Sequence, residues 1–322
     1  MNRLIPDSQR RTLEELDDRL DLSTGDANAK RSAFWMMLTL SGVIAVAGVV
    51  SDSTATVIGA MIVAPLSTPI LGIGLGIATG KGALILRSSA YVAAGVVLVT
   101  VLGFVFAHVL PNPSNVLTNS QVLGRTSPTL MDLTAALATG LVGAIAITRR
   151  DVGDVLPGVA IAISLVPPLA VVGVCLGSES PAMALGAFVL FASNVVAMVI
   201  TATVLLVAAG YGREAERAAR AQRRAYAVLA AALFLVALPM VVNSLSSLWA
   251  GQIAGATEQW LADTPGAEVI DVTWQGRTAT VAVLGPQVLP SFDELESSID
   301  ALVPWNPDIQ IVHTVGSRLV GE

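Results

Sequence analysis

The sequence predicts an all-α polytopic membrane protein. Seven transmembrane helices are expected, six of them forming a 3+3 inverted repeat, followed by a small C-terminal α+β domain of order α-β-β-α-β. Three observations predict this. Hydrophobic residues make up 54% of the 322 residues and charged residues 13%, about half the share of an ordinary soluble domain, with mean hydropathy +0.72. The apolar residues gather into runs of the length a bilayer requires, about 20 residues each. A shift of 99 residues lays the first three runs on the next three.

This composition excludes a disordered chain, a collagen-like repeat and an ordinary soluble enzyme. The single cysteine, Cys175, can form no internal disulfide, and two histidines, His108 and His313, are too few for a zinc site. No phosphate-cradling loop and no nucleophile elbow occur. No enzymatic activity, cofactor or metal is therefore expected. The net charge of −6 is uneven: residues 251–322 carry −8 and the other 250 residues +2, which offers no nucleic-acid footprint.

In chain order, residues 1–32 form a polar arm with no apolar core before Ala33, so no cleavable signal peptide is expected. Leu13, Leu16 and Leu20 recur at i, i+3, i+7 and predict a short amphipathic helix within residues 8–22, lying on its own protein or on the membrane surface. The membrane core, residues 33–210, divides into units 33–110 and 128–209. Its spans are Ala33–Val50, Ala55–Thr79, Ser88–Leu110, Leu130–Thr148, Val155–Leu176 and Ala182–Ala209. A basic loop, 211–225, leads to the seventh span, 226–249.

Basic residues set the orientation. Lys30 and Arg31, Lys81 and Arg87, Arg149 and Arg150, and the arginines after span 6 occupy every second end, whereas the 111–129 loop carries only Arg125. The N-terminus is thus expected inside and the C-terminal domain, 250–322, outside a bacterial cytoplasmic membrane. In that domain, alternation predicts strands Glu268–Trp274 and Arg277–Leu284 around a Gln275-Gly276 turn. A helix capped by Ser291 follows, then a strand over Asp308–Val315.

The 99-residue shift pairs Leu66 with Leu165, Pro69 with Pro168 and Gly74 with Gly173. A unit of three spans makes the second copy enter from the opposite side, as in many secondary transporters. There, matching Pro- and Gly-interrupted helices mark the site. The candidate substrate-binding residues are therefore Pro69 and Pro168, the flanking hydroxyls Ser67, Thr68 and Ser164, and Asn194 in mid-span. Asp52 and Asp132 could supply charge. Each has a plainer use: the prolines as packing kinks, the hydroxyls bonded within their own helices, Asp52 in a capped turn and Asp132 at a helix N-terminus. Asp151 and Asp154 suit surface pairing with Arg149 and Arg150. Gly72, Gly74 and Gly76 suit close helix packing.

Four motifs in order, SDSTATVIGAMIVAPLSTPI (51–70), SPTLMDLTAALATGLVGA (127–144), LPGVAIAISLVPPLAVVG (156–173) and FASN (191–194), resemble a bacterial family of uncharacterised hydrophobic membrane proteins, domain of unknown function 389. The resemblance covers residues 33–210 and implies a polytopic membrane protein without naming a substrate. The expected function is a secondary transporter or channel for a small solute or ion, in the lipid bilayer and as a homo-oligomer. The alternative is a membrane sensor or scaffold whose acidic outer domain is the binding module.

Overall fold

The structure is a computed structural model and describes residues 5–6, 8–109, 116–152, 165–212, 219–275, 278–300, 302–303 and 308–316. The helices are α1 (Leu13–Leu20), α2 (Ala27–Val50), α3 (Thr54–Val63), α4 (Ser67–Thr79), α5 (Gly82–Val109), α6 (Ser120–Thr126), α7 (Leu130–Thr148), α8 (Val166–Gly177), α9 (Pro181–Ala208) and α10 (Ala219–Trp260). They are followed by β1 (Glu268–Gln275), β2 (Thr278–Gly285), α11 (Phe292–Asp300) and β3 (Asp308–Val315). The chain divides into two compact units, Met1–Met240 and Val241–Glu322.

Five single helices, α2, α5, α7, α9 and α10, are long and apolar enough to cross a membrane, which makes this a membrane protein by length and composition. The pair α3 and α4, bent by 49°, passes the same test when taken together, as a broken span or a re-entrant loop. The expected fifth span, Val155–Leu176, is represented by the 12-residue apolar helix α8; its first part, with Asp154 and Ser164, lies outside the described residues. The expected loop 111–129 holds α6, a helix the apolar periodicity did not announce.

The element bounds follow the 99-residue shift. Moved by 99, the bounds of α5 become 181–208, those of α9, and those of α4 become 166–178, one residue beyond α8. The packing follows it too. α4 packs on α5 and α9, and α8 packs on α9 and α5. At the first crossing, a Cβ on Gly74 would fall 2.8 Å from Cβ of Ala202. At the second, a Cβ on Gly173 would fall 2.8 Å from Cα of Gly103. Gly103 and Ala202 are themselves 99 residues apart. Small residues let backbones approach where lipid gives no hydrophobic drive between helices.

The core of this unit is aliphatic, with Leu38, Leu66, Ile70, Leu75, Leu169 and Leu206 fully buried. Cys175 is buried among them. Ser41 Oγ donates to the Ala60 carbonyl at 2.8 Å, which satisfies a backbone acceptor near the end of α3.

The second unit has its own core. Ala279, Val281 and Val283 alternate inward along β2 and meet Ile253, Leu261, Leu295 and Ile299. β2 is central, antiparallel to β1 and parallel to β3. Trp260 Nε1 donates to the Ser291 carbonyl at 2.9 Å, tying the end of α10 to the start of α11. The expected α-β-β-α-β order holds, and α11 ends at Asp300.

Candidate functional site

The break between α3 and α4 falls on Ala64-Pro65-Leu66. Pro65 lacks the N–H that would continue the ladder to the carbonyl four residues back, at Met61. The expectation that the break lies at Pro69 is therefore corrected. Pro69 is buried at the third position of α4, after Ser67 and Thr68, both half-buried. Pro168 is buried at the third position of α8, preceded by Pro167 and Val166. The first N–H groups of a helix have no partner inside it. Prolines here thus remove donors that would otherwise be orphaned in an apolar environment, rather than free a carbonyl. The residues before the two helices, Leu66 and Leu165, offer no capping side chain. Both half-helices begin without a polar cap, 99 residues apart, and both rest on α5 and α9.

Asn194 is buried at the middle of α9, the helix that both half-helices share. Under the shift its counterpart is Gly95 of α5. A Cβ on Gly95 would lie 2.9 Å from Leu66 Cδ2, beside the break. The second position thus carries an amide where the first leaves room for a leucine.

The two carboxylates lie elsewhere. Asp52 sits in a turn after α2, with φ +52°. It accepts hydrogen bonds from Ser120 Oγ at 2.7 Å and from the Gln121 N–H at 3.1 Å, so it caps α6 rather than its own helix, which Ser53 caps. The Ser120 hydroxyl, followed by the Gln121 N–H, holds its carboxyl below the usual aspartate range. Asp132 is in the first turn of α7, and its Oδ2 accepts from the Thr129 N–H at 2.7 Å and from Thr129 Oγ1 at 2.9 Å. It completes a cap. Asp151 pairs with Arg149 at 2.6 Å, as expected for a surface carboxylate.

The sequence reading missed the polar network under α6. Asn119 Nδ2 donates to the Val49 carbonyl at 2.8 Å, while its Oδ1 accepts from the Val122 N–H at 3.0 Å. Gln121 Nε2 donates to Thr54 Oγ1 at 2.8 Å, and Gln121 Oε1 accepts from Arg125 Nη1 at 3.1 Å. Burial pushes the Arg125 guanidinium below its ordinary value. The available signal was Asn119 followed by a helix-length run before Ser127-Pro128.

At the opposite ends of α4 and α7 lies the N-terminal arm. Leu16 and Leu20 of α1 are buried, and the acids of α1 face the basic loops. Asp17 pairs with Lys81, Asp21 with Arg87 at 3.6 Å, and Glu15 with Arg150 at 2.9 Å. The arm continues as a short antiparallel bridge between Arg10 and Arg149.

The bent pair α3–α4 and the short apolar helix α8, packed among helices long and apolar enough to cross a bilayer, place the chain in the class of membrane proteins by length and composition. Residues 61–200 match the model of the domain of unknown function DUF389. It is similar to an uncharacterised protein of Methanocaldococcus jannaschii, with 33% identity over 175 residues. The alignment covers 54% of this chain and 53% of that protein, so the chain spans about half the length of the curated relative it matches. That relative is archaeal. No solved structure matches.

Proposed function

We propose that the chain is a secondary transporter or channel for a small solute or ion. Its core would be an inverted pair of three-span units in a cytoplasmic membrane, with the N-terminus inside. The observation that carries this reading is the pair of uncapped half-helices α4 and α8, 99 residues apart and crossing α9 and α5 at the small residues Gly74, Ala202, Gly173 and Gly103. Matching discontinuous helices in two halves surround the site in transporters of inverted topology. Ser67, Thr68 and Asn194 would line the site; Ser164, the fourth candidate, lies outside the described residues. Asp52 and Asp132, engaged as caps, would act from its flanks. The reading assigns the chain no catalytic activity.

The test is solute and ion flux through purified full-length protein in liposomes, across a panel of small anions, cations and neutral solutes. Pro65→Ala restores the N–H that a straight helix from Thr54 to Thr79 requires, and should lower flux about ten-fold or more with normal insertion. Pro69→Ala and Pro168→Ala each add an unpaired donor to a half-helix start and should lower it by less. Flux unchanged in all three variants would overturn a site at the breaks. The sensor reading keeps one support, the separate core of the acidic second unit. It predicts a ligand for residues 250–322 and no flux at all.

A further inference from the structure

The bridge between the arm and the end of α7 brings two Arg-Arg pairs side by side. The Arg11 N–H donates to the Thr148 carbonyl at 2.9 Å, and the Arg150 N–H to the Gln9 carbonyl at 2.9 Å. Tyr211, just past α9, donates its hydroxyl to the Arg11 carbonyl at 2.5 Å and carries the Arg10 guanidinium over its ring at 4.2 Å. Five cations collect here: Arg10, Arg11, Arg149, Arg150 and, beside Arg11, Arg19.

Among the described residues, two carboxylates answer them. Asp151 is held by Arg149, and Glu15 by Arg150 and by the Thr12 N–H. Arg11 is left over. It retains 9% of its exposure, its Nε is sealed from solvent, and no acceptor among the described residues meets that Nε. Desolvation and the neighbouring Arg19 push its guanidinium below the ordinary value. A sealed Nε–H without an acceptor is costly, and an oxyanion drawn in by the accessible guanidinium nitrogens and able to reach it would remove that cost. The cluster lies at the ends of α7 and α9, two apolar helices of membrane-crossing length, where headgroups sit.

We propose that this cluster binds a phosphate oxyanion, that of an anionic lipid headgroup, with Arg11 as the deep donor and Arg19 and Arg150 at the rim. The inference does not depend on transport. It uses only the arm and the helix ends it touches.

The experiment is native mass spectrometry of delipidated full-length protein titrated with phosphatidylglycerol, with phosphatidylcholine, and with inorganic phosphate as competitor. Wild type should prefer phosphatidylglycerol. Arg11→Gln should weaken that binding about ten-fold, the value of a charge-assisted hydrogen bond. Arg19→Glu, an exposed change that leaves packing intact, should weaken it about five-fold. Arg223→Glu, outside the cluster, should leave it unchanged. Displacement by inorganic phosphate would keep the oxyanion site and assign it to the soluble ion; resistance to displacement would assign it to the lipid. Equal phosphatidylglycerol binding by wild type and Arg19→Glu, or equal weakening by Arg223→Glu, would overturn the proposal, whether or not Arg11→Gln folds.

Discussion

The stretch from α1 to α5 and the stretch from α6 to α9 share three helices at a shift of about 99 residues, α2 with α7, α4 with α8 and α5 with α9, and each is preceded by a short helix, yet they are fastened differently. In the first, the short leading helix α1 is held by ion pairs to Lys81, Arg87 and Arg150. In the second, the leading helix α6 is held by neutral hydrogen bonds through Asn119 and Gln121 and by the Asp52 carboxylate. The crossings differ as well. Gly103 meets Gly173 backbone to backbone, whereas Ala202 meets Gly74 through a methyl group. The shared plan is thus kept by helix length and by the placing of small residues, while the fastenings are free to vary.

The crossings give the largest expected effect. At Gly173 a new Cβ meets main-chain atoms of Thr100, Gly103 and Phe104, none of which can turn aside. Gly173→Ala should cost about 3 kcal/mol in thermal unfolding in detergent, and Gly74→Ala about 1 kcal/mol. Equal costs would show that the two crossings are equivalent. Next comes Asn119→Ala, which removes the side-chain bonds to the Val49 carbonyl and the Val122 N–H but leaves each its backbone partner, the Asp52 N–H and the Asn119 carbonyl, both at 3.2 Å, and should cost about 1 kcal/mol. The exposed Glu15→Ala should have the smallest effect of the four.

The remaining differences are smaller and depend on conditions. Asp52 has a folded pKa below its ordinary value, so its contribution is present above the unfolded pKa and fades as pH falls through the folded one. Hydrogen exchange at residues 120–126 should therefore rise below the usual aspartate range, and Asp52→Asn should flatten that profile. Glu15, lowered by the Thr12 N–H and by Arg150, gives α1 the same sign. Salt separates the two helices. Raising the ionic strength to about 1 M shortens the screening length to about 3 Å. This should increase exchange in residues 13–20 several-fold and leave 120–126 nearly unchanged. Equal responses would erase the distinction between ionic and neutral fastening.

Much of this was legible in the sequence. Leu16 and Leu20 marked the face of α1, alternation marked β2 and β3, and the glycines at 74 and 173 marked the crossings. α6 was not legible. Its stabilising groups are Asn119, Gln121 and partners drawn from 70 residues away, and long-range hydrogen bonds leave no periodic trace. The prolines misled in one respect. Pro69 and Pro168 obey the repeat, but Pro65, whose counterpart is Ser164, makes the break. A proline stops a ladder at its own missing donor, so the position within the helix decides its effect.

The glycine crossing has a mechanical consequence. Helices that interdigitate side chains must lift knobs out of holes before one can slide along the other. Between Gly103 and Gly173 the two helices meet on bare main chain. At that point no side chain stands between them, although most other side chains of α8 are buried in the core. α8 is only 12 residues long, so such a slip would carry a short rigid rod rather than a whole span. The crossing has the form of a shear bearing, placed where a half-helix would have to shift if one face of the membrane were to open while the other closed.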